Sequence, residues 1–124
     1  MSSSIPPQVQ EQLARLQQLQ QTLQVVITQK QQLELELSDT ERALGELGKL
    51  TDETVIYKSI GALLVKSNRQ GVIKELTERK ELLNTRVTVL AKQEGRARSK
   101  LKELQQSLQE RLKPEAESSS TEET

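Results

Sequence analysis

D-E-T-V-I-Y-K-S-I-G-A-L-L-V-K-S-N-R, residues 52–69, decides the fold. It is the one segment that breaks a helical rhythm. Thr54, Val55, Ile56 and Tyr57, then Leu63, Leu64 and Val65, are β-branched, aromatic or large aliphatic residues, and Gly61 stands between the two runs. This pattern predicts a β-hairpin with strands over 54–59 and 63–68; the alternative is a pair of short helical segments. A lone two-stranded ribbon is marginal in water and leaves both edges unpaired. The hairpin is therefore expected to be an assembly element, completed by other hairpins. Alternation assigns Val55, Tyr57, Leu63 and Val65 to one uncharged face, expected to point into a closed barrel core. Ile56, Ile60 and Leu64 would share the other face with Lys58 and Lys66, whose heads reach toward water. The turn around Ser59–Ala62 matches no diagnostic two-residue type.

On each side of this stretch lie leucine-spaced residues. Val9, Leu16, Leu23, Lys30, Leu37 and Leu44 are seven apart, and so are Leu19, Val26, Leu33, Thr40 and Leu47. Together they make the 3-4 seam of a left-handed coiled coil, with Lys30 and Thr40 as polar exceptions. Gly48 is expected to end this helix in the left-handed conformation. Asn68 to Gly71 are expected to form the exit turn. The seam then resumes as Ile73, Leu76, Lys80, Leu83, Val87, Leu90, Glu94, Ala97, Leu101, Leu104, Leu108 and Arg111, always in steps of three or four. The fold class is mainly α: a long antiparallel two-helix coiled coil, about 60 Å per arm, with a central hairpin. The expected division is a loose tail at 1–7, a first helix at 8–48, the hairpin segment at 49–71, a second helix at 72–113 and a disordered acidic tail at 114–124. Eleven glutamines between Gln8 and Gln32 read as an uncharged, solvated helix face and not as a prion-like tract.

Composition agrees with extended helices. Hydrophobic residues are 33% of the chain, with one Tyr and no Phe or Trp, too few aromatics for a compact globule of 124 residues. Eighteen Lys and Arg balance eighteen Asp and Glu, which gives no general pull toward nucleic acid or an anionic membrane. The absence of Cys and His excludes disulfides, thiol nucleophiles and thiolate or imidazole metal sites. No apolar run is long enough to span a membrane, and M-S-S-S-I-P-P is not a secretory signal. A cytoplasmic protein without metal or cofactor is expected.

No catalytic constellation is present, so the chain is not expected to be an enzyme. There is no phosphate-binding glycine loop. The carboxylate pairs Glu34/Glu36 and Glu122/Glu123 fall on solvated helix or in the tail. The basic cluster from Arg96 to Lys102 lacks an aromatic for base stacking, and Arg98 has Glu94 as a helical partner. The stronger signal is apolar. Val9, Leu13, Leu16, Leu104, Leu108 and Leu112 gather at the free ends of the helices, where a single partner helix is available to cover them. Such groups can meet apolar segments of another chain, weakly one by one and more strongly when several arms act together. This describes a passive, ATP-independent holdase. The rival reading is a coiled-coil spacer or tether for one folded partner. A nucleic-acid binder is disfavoured by the overall neutrality.

I-P-P-Q-V-Q at residues 5–10, Gln21–Lys30 and V-I-Y-K-S-I-G-A-L-L-V-K at 55–66 resemble the β subunits of the archaeal prefoldin family. The resemblance covers nearly the whole chain and is most specific in the hairpin. It implies a hexamer of two α and four β subunits, held by eight-stranded barrels built from the hairpins. It also implies capture of non-native polypeptides at the coiled-coil tips and delivery to a group II chaperonin, without ATP hydrolysis. On that reading Val9, Leu13, Leu16, Leu104, Leu108 and Leu112 face the client. Val55, Ile56, Tyr57, Ile60, Leu63, Leu64 and Val65 make the assembly. The acidic tail after Pro114 has no role in the shared motif.

Overall fold

The computed structural model describes residues 5–113. The expected tail at 114–124 and residues 1–4 of the expected N-terminal tail lie outside the described residues. The elements are α1 (Pro7–Gly48), β1 (Ile56–Ile60), β2 (Leu63–Ser67) and α2 (Arg69–Arg111). The chain divides into a hairpin unit, residues 28–91, and a terminal unit formed by the chain on either side of it.

Pro7 opens α1 because its missing N–H is one the first turn does not need. The Pro6 carbonyl accepts from the amides of Val9 and Gln10, each at 3.0 Å. The seam follows the heptad expectation. In the hairpin unit Thr40, Leu47 and Leu83 are buried, and Leu33, Leu37, Leu44, Leu76, Val87 and Leu90 are half-buried. In the terminal unit Val9, Leu23, Val26, Ala97 and Leu108 are buried. Thr40 tolerates burial because its hydroxyl donates to the Glu36 carbonyl one turn back, at 2.8 Å.

The ends of the helices depart from expectation. Gly48 is not left-handed; Gly61 is the only described glycine with positive φ. Instead α1 tightens through i→i+3 bonds, Lys49 N to Glu46 O at 3.1 Å and Leu50 N to Leu47 O at 3.2 Å. Asn68 to Gly71 are not an exit turn either, since α2 begins at Arg69. Asn68 is its N-cap: the side-chain Oδ1 accepts from the Gly71 amide at 2.7 Å. A Cβ at position 71 would stand 3.1 Å from that oxygen, so glycine leaves the cap its room.

The strands are shorter than the pattern suggested. Thr51 and Thr54 close a turn on each other, Thr54 N to Thr51 O at 3.1 Å and Thr51 N to Thr54 Oγ1 at 3.3 Å, so β1 starts only at Ile56. The pairing is antiparallel, from Ile56 opposite Ser67 to Ile60 opposite Leu63. Gly61 and Ala62 therefore form a two-residue turn. Gly61 has φ of 57° and Ala62 does not have positive φ, the pattern of a type II′ turn. This corrects the predicted faces. The expected grouping needed an odd number of turn residues; two residues turn β2 over relative to β1. Tyr57 and Lys66 share one face with Ser59 and Leu64, while Ile56, Lys58 and Ile60 share the other with Leu63, Val65 and Ser67. Each face carries one lysine, and the uncharged face does not exist.

Candidate assembly and client-binding surfaces

The hairpin is a two-stranded sheet, so the outer edge of each strand has no ladder partner within it. Its side chains are equally uncovered. Leu64 is 73% exposed and Leu63 66%, and Val55, Tyr57, Ile60 and Val65 are exposed as well. Of the seven expected assembly residues only Ile56 is half-buried. Six large apolar side chains on so short a ribbon are an exposed hydrophobic patch on both of its faces, which soluble chains normally cover.

The ribbon is fixed on its own chain by polar contacts that the heptad pattern does not reveal. Lys58 on β1 reaches α2, where its Nζ lies 2.9 and 2.7 Å from the two carboxylate oxygens of Glu75. Arg69, in the first turn of α2, ties both ends of the hairpin segment together. Its Nε donates to the Leu47 carbonyl at 2.8 Å, capping α1, and its Nη1 donates to Asp52 Oδ1 at 2.9 Å. Gln70 Nε2 adds a second bond to the same oxygen at 3.0 Å. The guanidinium fork suits this double task, whereas an ammonium presents one point. Arg69 is only 18% exposed. Hydrogen bonds from Arg69 first, and then from Gln70, hold the Asp52 carboxyl below its ordinary range. Reasoning from pattern missed these residues; the available signal was opposite charge immediately before and after the hairpin. Arg79 and Glu36 bridge α2 to α1 further along, at 3.1 Å.

In the terminal unit the six expected client-facing residues differ among themselves. Val9 and Leu108 are each 4% exposed and belong to the seam. Leu13, Leu16 and Leu104 are half-buried. Leu112 is 55% exposed, and Ile5, not among the expected residues, is exposed too. The helices are pinned here by Arg111 Nη1 donating to Gln8 Oε1 at 2.9 Å. Beside the seam, Arg15, Leu19, Lys100, Glu103, Leu104 and Ser107 line a groove of about 490 Å³. In the basic cluster Arg98 is bridged to Glu94 at 2.9 Å, as the four-residue spacing implied. Among the described residues no group of acidic side chains is placed to hold a metal ion, and no helix is long and apolar enough to cross a membrane.

These features agree with comparisons to known proteins. Residues 10–115 match the family model described as prefoldin subunit. The chain is 54% identical over 112 residues to prefoldin subunit beta of Archaeoglobus fulgidus, covering 90% of this chain and 97% of that one. It is 45% identical over 111 residues to prefoldin subunit beta of Pyrococcus furiosus, with 90% and 95% covered. The crystal structure of the prefoldin beta subunit from Thermococcus strain KS-1 superposes with a TM-score of 0.82 at 42% identity, over 91% of this chain and 99% of that one. The antiparallel helices and single hairpin are thus a shared architecture, and the chain belongs to the prefoldin family, whose members are chaperone subunits and not enzymes.

Proposed function

We propose that this chain is a β-type subunit of an ATP-independent holdase of the cytoplasm. Four such chains would join two α-type chains through their hairpins. The helix ends would capture non-native polypeptides and pass them to a group II chaperonin. Residues 49–71 would serve as the assembly segment and the helices at 8–48 and 72–113 as the arm.

The observation that carries this reading is the hairpin with six exposed large apolar side chains and two open edges. Burying them requires other strands, and strands of the same kind supply ladder bonds and apolar cover together. Capture at the helix ends is supported by the exposed Leu112 and Ile5 and by the half-buried Leu13, Leu16 and Leu104. Val9 and Leu108 would contribute only when the helix pair loosens at its end.

Two measurements test the proposal. Replacing residues 52–69 by a short turn should leave helical arms that no longer form a hexamer with α-type partners, read by native mass measurement. A retained hexamer would falsify the assembly role. Leu13→Ser, Leu104→Ser and Leu112→Ser together should leave the hexamer intact and weaken suppression of aggregation of several unrelated denatured proteins. Undiminished suppression removes the capture role. Suppression confined to one folded partner's complex would favour a tether.

A further inference from the structure

The formal neutrality of the chain conceals a partition. The hairpin unit, residues 28–91, holds ten Lys or Arg and ten Asp or Glu, whereas residues 5–27 and 92–113 of the terminal unit hold eight Lys or Arg against four Glu. Two of those eight are engaged on their own chain, Arg98 on Glu94 and Arg111 on Gln8. Arg15, Lys92, Arg96 and Lys100 are exposed and make no ion pair or side-chain hydrogen bond among the described residues.

These four cations line two adjoining grooves. The groove beside the seam has Arg15 and Lys100 on its walls together with Leu19 and Leu104. A second, of about 490 Å³, continues along α2 and is lined by Lys92, Gly95, Arg96, Ser99, Lys100 and Glu103. The two share Lys100 and Glu103, so together they carry four cations and one carboxylate. Gly95 and Ser99 keep the floor of the second groove low. Glycine costs stability in the interior of a helix, and nothing in the described chain uses the room it leaves, since a Cβ at Gly95 would meet nothing within 4 Å.

Leu104, Lys100, Arg96 and Lys92 follow one another in steps of four and so form one inclined ridge of α2. Each step is about 6 Å. In an extended polypeptide, side chains on one face recur every two residues, about 6.6 Å apart. The two repeats match closely enough for flexible Lys and Arg heads to absorb the difference. We infer that the paired grooves bind an extended polypeptide segment in which an apolar residue is flanked on one side by carboxylates at alternate positions. The apolar side chain rests against Leu19 and Leu104 beside Arg15, and the carboxylates meet Lys100, Arg96 and Lys92 in turn. Single-stranded nucleic acid fits less well, because the walls offer no aromatic side chain for stacking and two leucines give nothing to a phosphate backbone. The ion pairs are exposed, so each is weak and screened by salt; they bias the choice among clients and do not replace apolar contact. The inference names a class of client for the capture site and rests on the holdase reading.

The test uses the full chain in its assembled form and fluorescent peptides of the form L-S-X-S-X-S-X, with X as Glu, Gln or Lys, read by anisotropy. At about 50 mM NaCl the Glu peptide should bind about tenfold more tightly than the Gln peptide, and the Lys peptide more weakly than either. The advantage should shrink to within about twofold at about 0.5 M NaCl. In Arg96→Glu/Lys100→Glu it should reverse in favour of the Lys peptide. Equal binding of the Glu and Gln peptides at low salt, or an acid preference indifferent to the double variant, overturns the inference; so does an oligo-dT strand that binds more tightly than the Glu peptide. Suppression of aggregation of denatured proteins is measured on the same preparation. Suppression that persists without the charge preference overturns the class of client alone, whereas absence of suppression overturns the holdase reading and the inference with it.

Discussion

Replacing Arg69 by alanine should loosen the hairpin segment and leave the terminal unit untouched. Arg69 makes bonds of 2.8 Å to the Leu47 carbonyl and 2.9 Å to Asp52. The bond to the Leu47 carbonyl is part-buried, so that oxygen, left with the Leu50 amide at 3.2 Å, loses a charged donor where water competes less than at the surface. A hydrogen bond to a charged group contributes about 1.5–3 kcal/mol. The pair with Asp52, whose side chain is exposed, adds little, because surface ion pairs are screened by water and salt. A local cost near 2 kcal/mol corresponds to about thirtyfold in an opening equilibrium. Amide hydrogen exchange is the assay, since it reads local opening residue by residue. Amides of residues 49–54 and 68–72 should exchange about ten- to thirtyfold faster in Arg69→Ala, with those of residues 9–26 unchanged. Arg69→Lys should fall between, because an ammonium cannot fork to both acceptors. Protection unchanged within about threefold in 49–72, or lost equally in 9–26, would refute the clamp.

Asp52 supplies a pH signature. Its carboxyl is held below its ordinary range, so its contribution is fully present above the ordinary carboxylate value of the unfolded chain and is lost as pH falls through the depressed folded value; Asp52→Asn should remove that acid-side step from a pH titration of hairpin-unit stability. Gly61→Ala should destabilise the hairpin by about 1–2 kcal/mol, because φ is 57° while the space around the missing Cβ is open; a D-alanine at the same position should cost little, and equal unfolding midpoints for both would contradict the turn assignment. Leu83 is 2% exposed, the most buried side chain described, and Leu83→Ala should cost about 2–3 kcal/mol in urea unfolding, near the low end because a two-helix seam collapses readily around a gap.

The helical seam was legible because burial of one stripe per helix is a local, periodic demand, and it placed Leu23, Leu47, Leu83 and Leu108 correctly. The hairpin was legible from β-branched residues around a glycine. Its register was not, because one residue more or less in a turn reverses every side chain, and Gly61–Ala62 was not recognised as a complete turn. The pairing of Arg69 with Leu47 and Asp52, and of Lys58 with Glu75 where a head in water was expected, was not legible, because the partners lie 17 to 22 residues away and nothing periodic links a cation to an acceptor at that distance. At the helix ends the pattern could not say how much cover one neighbour gives, so buried Val9 and exposed Leu112 were grouped together.

The self-satisfied hydroxyl of Thr40 has a last consequence. Because its proton goes to Glu36 on its own helix, the side chain asks nothing of whatever lies opposite. It is a polar layer that votes for no alignment, unlike a buried amide that must find its twin. Alignment of the two helices beside the hairpin is therefore set by contacts that do cross the pair and have direction, Arg69 on the last turn of α1 and Arg79 on Glu36.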